Sequence, residues 1–395
     1  MSIATEIERL KTAKANIKTA IEAKGVTVGD GTLDSYSAKI DEIPSGVDIS
    51  EYFDDTLLTT SNTHSCGEWV TLIKKIPKIK FKGDYAYGLF YNYPGTIIDL
   101  SEVDVSNTTT ITEMFSHCYN VTSLDLSNFN TSNVEYMSNL FADCNSLTSI
   151  DISNWDVSNV QYCSSLFTNC NSLTTLKIPE NLITSRCTSI NSMFQGCSSL
   201  ENIDVSKFDT SGCTDMSFTF SYCSKIASID ISNFKTQQVQ TFWSMFYGCS
   251  ALKTITGLDK IDTSNAYTFR QMFRECTALE NLDLHTFNTN NIGTGWLGGY
   301  EETFYLCNNL KTLNISSFSI PSTVTTSAVR MFFGCYNLEN LNMSSFDFTK
   351  VSDYDDMFAN VPNNCYILVK DADSKEWITS KWSNLANVHY VGEEG

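Results

Sequence analysis

Fourteen cysteines and four histidines are the residues of this 395-residue chain with the most chemical reach, and their spacing decides what they do. Nine of the cysteines (Cys118, Cys144, Cys170, Cys197, Cys223, Cys249, Cys276, Cys307 and Cys335) each follow a phenylalanine by three residues. One thiol per unit at one structural position reads as a small buried apolar residue. The sequence has no Cys-x-x-Cys pair, which argues against a structural zinc site. Cys66, Cys163, Cys187, Cys213 and Cys365 share no spacing, and free thiols are expected throughout. His64, His117, His285 and His389 form no pair at metal-ligand spacing. His64-Ser65-Cys66 sets a base beside a nucleophile in sequence, but such partners must meet in space. There is no phosphate loop and no nucleophile elbow. Neither an enzyme nor a cofactor is expected.

A second set of residues is more informative. Asp99, Asp125, Asp151, Asp204, Asp230 and Asp283 occupy the same place in successive units. Carried on stacked strands they would lie about 5 Å apart. That arrangement has two readings: a cation- or receptor-binding stripe, or a solvated acidic face whose side chains bond to neighbouring Ser and Thr. The lack of a glycine-turn calcium loop favours the second. A Gly-rich insertion, residues 289–300, offers Trp296 and Tyr300 as candidate ligand contacts, since loops on a rigid scaffold carry binding aromatics.

The elements that position these residues repeat. Phe90, Phe115, Phe141, Phe167, Phe194, Phe220, Phe246, Phe273, Phe304, Phe332 and Phe358 recur about every 26 residues. A period of this length means a solenoid in which each unit buries its apolar face against the next. Leu124-Asp125-Leu126 and Ile150-Asp151-Ile152 alternate apolar and polar, the period of a half-buried strand. Val134, Met137, Phe141 and Cys144 fall at offsets that describe one face of a short helix. The expected architecture is an α/β solenoid, a leucine-rich-repeat stack of about eleven units with a short parallel strand and a short helix in each. Departures at Lys177-Ile178-Pro179 and Thr256-Gly257-Leu258 are expected to kink it.

The Leu-x-x-Leu-x-Leu core is followed by Phe129, Trp155, Phe208, Phe234, Phe287, Phe318 or Phe346. With Met-Phe-x-x-Cys and Ser127-Asn-Phe-Asn-Thr-Ser-Asn-Val134, it resembles the BspA-like leucine-rich repeats of bacterial surface and phage proteins over about residues 85 to 370. The resemblance implies a non-enzymatic binding protein.

Residues 1–46 differ from the rest. Ile3, Ile7, Leu10, Lys14, Ile17 and Ile21 make a heptad seam, for which two partners are open: further copies, with three strands favoured by the isoleucines, or the second amphipathic segment, Leu33 to Ile43, folding back. Ile17 to Val26 with that second segment resembles the amino-terminal helical segments of phage tail-associated proteins. Four regions are therefore expected: an anchoring module at 1–46, a linker and cap at 47–84, the solenoid at 85–362 and a closing cap at 363–395. A net charge of −19 argues against nucleic acid as the main partner, and no run is long enough to span a membrane. Met1 to Glu8 shows no apolar signal region, so cytoplasmic synthesis is expected. The first reading is a phage virion protein, a tail fibre or receptor-binding type. Its helices would trimerise and join virion tail or capsid proteins, and its repeats would meet a host surface receptor, protein or glycan. The alternatives are a BspA-like bacterial cell-surface adhesin, or a virion head fibre or decoration protein.

Overall fold

A phenylalanine that recurs in every unit is buried most cheaply against its own copies. In the computed structural model, which describes residues 81–82, 85–101, 103–293 and 299–393, that is its arrangement. The anchor rings from Phe90 to Phe358 form one unbroken ladder, with centroids 5.2–5.9 Å apart and near-parallel planes. Each ring is at most 1% exposed. Burying such a side chain is worth about 1.5–3 kcal/mol, and offset stacking adds about 0.5–1.5. The described residues form a parallel β-solenoid around this ladder.

Strands β1 (Phe81–Lys82) and β2 (Val103–Asp104) open the stack. β3 (Ser149–Asp151), β4 (Thr175–Lys177), β5 (Ser228–Asp230), β6 (Thr254–Thr256), β7 (Asn281–Asp283) and β8 (Thr312–Asn314) follow. Then come β9 (Thr326–Ser327), β10 (Asn340–Asn342), β11 (Val351–Asp353) and β12 (Tyr366–Val369). Helix α1 (Ala372–Lys381) and β13 (Val388–Tyr390) close the chain. Every strand pairing is parallel.

The short helix expected in each unit is replaced by consecutive tight turns. The periodicity that suggested it is real: Ile111, Met114, Phe115 and Cys118 are all fully buried. The hydrogen bonds run elsewhere. Alternate amides leave the unit and donate to the next one: Ile111 to Tyr136 O, Glu113 to Ser138 O, Phe115 to Leu140 O and His117 to Ala142 O. The amides between them close turns three residues back, as Met114 does on Ile111 O and Cys118 on Phe115 O. A helix would keep all of these bonds within the segment. Two residues per turn stack adopt positive φ, four apart, as at Glu113 and His117 or Asn139 and Asp143. Glycine takes the second of these places at Gly196, Gly248 and Gly334.

The recurring cysteine completes the join. Cys144 Sγ donates to the carbonyl of Phe115 at 3.1 Å, in the preceding unit. The same bond recurs in all nine such units at 3.0–3.3 Å. Burial pushes the thiols of Cys197, Cys249 and Cys307 up to about 12. All described cysteines are free and buried. At the carboxy-terminal end Trp377 packs on Phe348 and Trp382 on Phe358, so α1 lies over the last aromatic rungs.

The seam Ile3, Ile7, Leu10, Lys14, Ile17 and Ile21, all of the 1–46 module, nearly all of 47–84 and Trp296 lie outside the described residues. Tyr300 is corrected. It is fully buried, its hydroxyl donates to Ser319 O at 2.7 Å, and its ring packs on Phe318 and Phe346. It fills the core at the inserted unit instead of meeting a ligand.

Two outcomes follow from the thiols. The buried row resists a thiol-specific disulfide reagent in native buffer and reacts in full in denaturant; rapid native labelling of Cys170 or Cys223 would contradict the packing. Cys163 and Cys187 are a separate case, with sulfurs 2.7 Å apart. Treatment with a diazene oxidant, which takes one hydrogen from each thiol, yields a single Cys163–Cys187 cross-link by peptide mapping. Cross-links among the nine ladder cysteines instead would contradict this geometry.

Candidate binding surface

A strand in this solenoid turns its central residue inward and its two flanking residues out. Ile150, Ile229, Leu282, Leu313 and Leu341 are buried, and Ser149, Asp151, Ser228, Asp230, Asn281 and Asp283 are exposed. The outward positions form two rows along the sheet, one set by the first strand residue and one by the third.

Asp125, Asp151, Asp204, Asp230 and Asp283 all occupy the second row. Each turns one oxygen back on its own chain. Asp125 Oδ1 accepts from Ser127 N at 3.1 Å and Ser127 Oγ at 2.7 Å. Asp151 does the same with Ser153, and Asp204 and Asp230 accept from Ser206 N and Ser232 N. Asp283 accepts from His285 N and from His285 Nδ1. The side-chain and backbone bonds of the following serine hold the carboxyls of Asp125, Asp204 and Asp230 below the usual range. Asp151, helped also by Lys177 at 2.9 Å, falls to about 2. These turns end the strand, which is why Asp recurs there.

The acidic row is not continuous. Register pairs Asp151 with Lys177, Asp230 with Thr256 and Asp283 with Asn314. Among the described residues no group of three or more His, Cys, Asp or Glu is placed to hold a metal ion. At the second departure from the repeat, Gly257 has φ 93°, and a Cβ there would meet Ser232 Cα at 2.3 Å. Close approach of neighbouring units explains the glycine.

Over the last units the face changes. β7, β8, β10 and β12 stand side by side, with β13 beyond. Asn281, Thr312, Asn340 and Tyr366 align in the first row. Asp283, Asn314, Asn342 and Leu368 align in the second, with His389 after Leu368. These side chains, His389 apart, line an open groove of about 520 Å³. The Tyr366 and His389 rings stack at 4.9 Å and 17° across its end. Of this cluster, sequence reasoning had singled out Asp283 alone. The signal was present: Asn281-Leu-Asp283, Thr312-Leu-Asn314 and Asn340-Leu-Asn342 replace Ser-Ile-Asp.

The turn-stack side carries aromatic ladders of its own. Tyr136 and Tyr162 stack at 4.8 Å and stay exposed. Arg274 lies over Tyr305 at 4.2 Å and Tyr247 at 5.2 Å, paired with Glu302.

A family described as "Mycoplasma protein of unknown function, DUF285" matches residues 86–179, 174–257 and 250–368. No curated protein matches the chain. Among solved structures, a leucine rich cell surface protein from Faecalibacterium prausnitzii A2-165 is 17% identical, covering 67% of this chain and 82% of that one, with a TM-score of 0.24. The functional domain of InlJ from Listeria monocytogenes, which includes a cysteine ladder, is 13% identical, covering 84% of this chain and 74% of that one, with a TM-score of 0.19. Both superpositions are loose, and the architecture rests on the chain's own geometry.

The Asp151 carboxyl gives a pH prediction. Its pKa is depressed from 3.8 to about 2, so its contribution is complete above about pH 4 and is lost as pH falls towards 2. Asp151→Asn keeps the turn acceptor and removes the charge. Thermal melts should place it slightly below wild type at neutral pH, by less than about 1 kcal/mol for so exposed a pair. The difference should close between about pH 4 and pH 2. A gap that is undiminished at pH 2 would show that the charge is not its origin.

Proposed function

The chain belongs to the DUF285 family, and from that premise we propose that it is a non-enzymatic BspA-like adhesive protein displayed at a bacterial cell surface, where its solenoid face binds a host surface protein or glycan. The observation that carries this reading is the division of labour within each unit. The buried positions are given over to ring, thiol and aliphatic ladders, while Ser149, Thr175, Ser228, Thr254, Asn281, Thr312 and Asn340 put small polar side chains in the first outward row. Such a face suits many weak contacts spread over several units, as solenoids present to their partners. Aromatic side chains at its margin and on the turn side, including Tyr136, Tyr162 and Tyr366, add the large amphipathic surface that binding sites favour.

The phage-attachment reading drew on residues 1–46, which lie outside the described residues, and neither the family nor the two solved structures above bears on it. Display at a cell surface takes precedence for that reason. Trimerisation through Ile3, Ile7, Leu10, Lys14, Ile17 and Ile21 belongs to either reading, because several weak sites held together bind strongly.

Protease shaving of intact producing cells is expected to remove the protein while cytoplasmic markers survive. The full chain on beads is expected to bind mucin-coated or matrix-coated surfaces saturably. A protein that shaving leaves untouched and that co-sediments with phage particles would overturn the cell-surface reading.

A further inference from the structure

We infer that the groove over β7, β8, β10 and β12 is a binding site for a neutral saccharide. The inference deepens the adhesive reading and rests on it.

Charge is the first argument. The whole chain carries −19, yet the groove contains one carboxylate, Asp283, and no lysine or arginine. A phosphate, sulfate or carboxylate ligand would meet no cation there, and a cationic ligand would meet a single carboxylate already bonded to His285. An uncharged ligand is favoured.

The second argument is how the polar groups are held. Asn314 Oδ1 accepts from Ser316 N and Asn342 Oδ1 from Ser344 N, each at 3.2 Å. These bonds orient the amide and leave its NH₂ as a donor directed away from the turn. Asn281 Oδ1 accepts from Thr312 Oγ1 of the neighbouring strand at 2.5 Å, which fixes a third amide in the first row. Asp283 supplies an acceptor beside them. Fixed donors next to an acceptor, one strand spacing apart, can converge on neighbouring hydroxyls of a sugar, each of which donates and accepts.

The third argument is shape. The Tyr366 ring, backed by the His389 ring stacked on it, and Leu368 give the groove an apolar end for the C–H face of a pyranose. A volume of about 520 Å³ lies in the usual range for small-ligand sites. Addition of an extended peptide to the sheet is not available within the groove, since β8 and β10 are already paired on both edges.

The test is an array of neutral oligosaccharides beside their sialylated and sulfated counterparts, probed with the full chain. Wild type is compared with Asn314→Asp/Asn342→Asp, Tyr366→Ala and a control off both outward strand rows, Asp259→Asn in the turn Leu258–Lys260. The Asp pair keeps both turn acceptors while replacing the donors. Thermal melts establish that each variant is folded. The expected result is binding of neutral glycans, weakened about tenfold or more in the Asp pair and in Tyr366→Ala, unchanged in the control, and weaker for sialylated or sulfated glycans. Glycan binding that survives in both groove variants overturns the site while leaving the adhesive reading in place. Binding to host surfaces with no glycan bound does the same. A chain that binds neither glycans nor host surfaces overturns both.

Discussion

The peptide of the anchor phenylalanine is the junction on which the solenoid depends. Its N–H donates to a carbonyl of the next unit, as from Phe115 to Leu140 and from Phe141 to Leu166. Its carbonyl receives the thiol of the next unit's cysteine, as from Cys144 to Phe115. Its ring stacks on the rings before and after it. One residue therefore joins neighbouring units through backbone, side chain and a buried sulfur. The carbonyl already accepts the amide of the cysteine in its own unit, and the small buried thiol adds a second donor to it from across the unit boundary. That accounts for cysteine in a chain whose described thiols form no disulfide.

The same junction explains what the sequence made legible and what it hid. The ladder could be read directly, because Phe and Cys recur at a fixed interval and only stacking buries them all. The strands were also readable: a buried Ile150 between exposed Ser149 and Asp151 is a plain alternation. The helix was misread because burial at offsets of three and four arises equally from a helix and from a run of tight turns. Only the destination of the amide bonds separates the two, and residues such as Glu113, His117 and Asn139 at positive φ leave no glycine to announce it.

The surface shows the same limits. The aspartates stood out by repetition, yet repetition reflected a strand-ending turn with serine, seen at Asp125 and Asp151. Tyr300 stood out as an aromatic in an insertion, yet the longer unit opens core space that its ring fills. The groove residues Asn314, Asn342 and Tyr366 break the repeat, and sequence reading passed over them. In a solenoid the repeated positions serve stacking, so individuality sits where a unit departs from its neighbours and stacking does not require the change. Outward strand positions meet both conditions.

Amide hydrogen exchange resolved to single residues tests the junction most directly. Protection should alternate along each turn stack. The N–H groups of Phe141, Phe167, Phe194 and Phe220, which reach the next unit, should exchange slowest, and protection should fall towards both ends of the array. Uniform protection across residues such as 111–118, as a continuous helix would give, or rapid exchange at the anchor phenylalanines, would contradict the account.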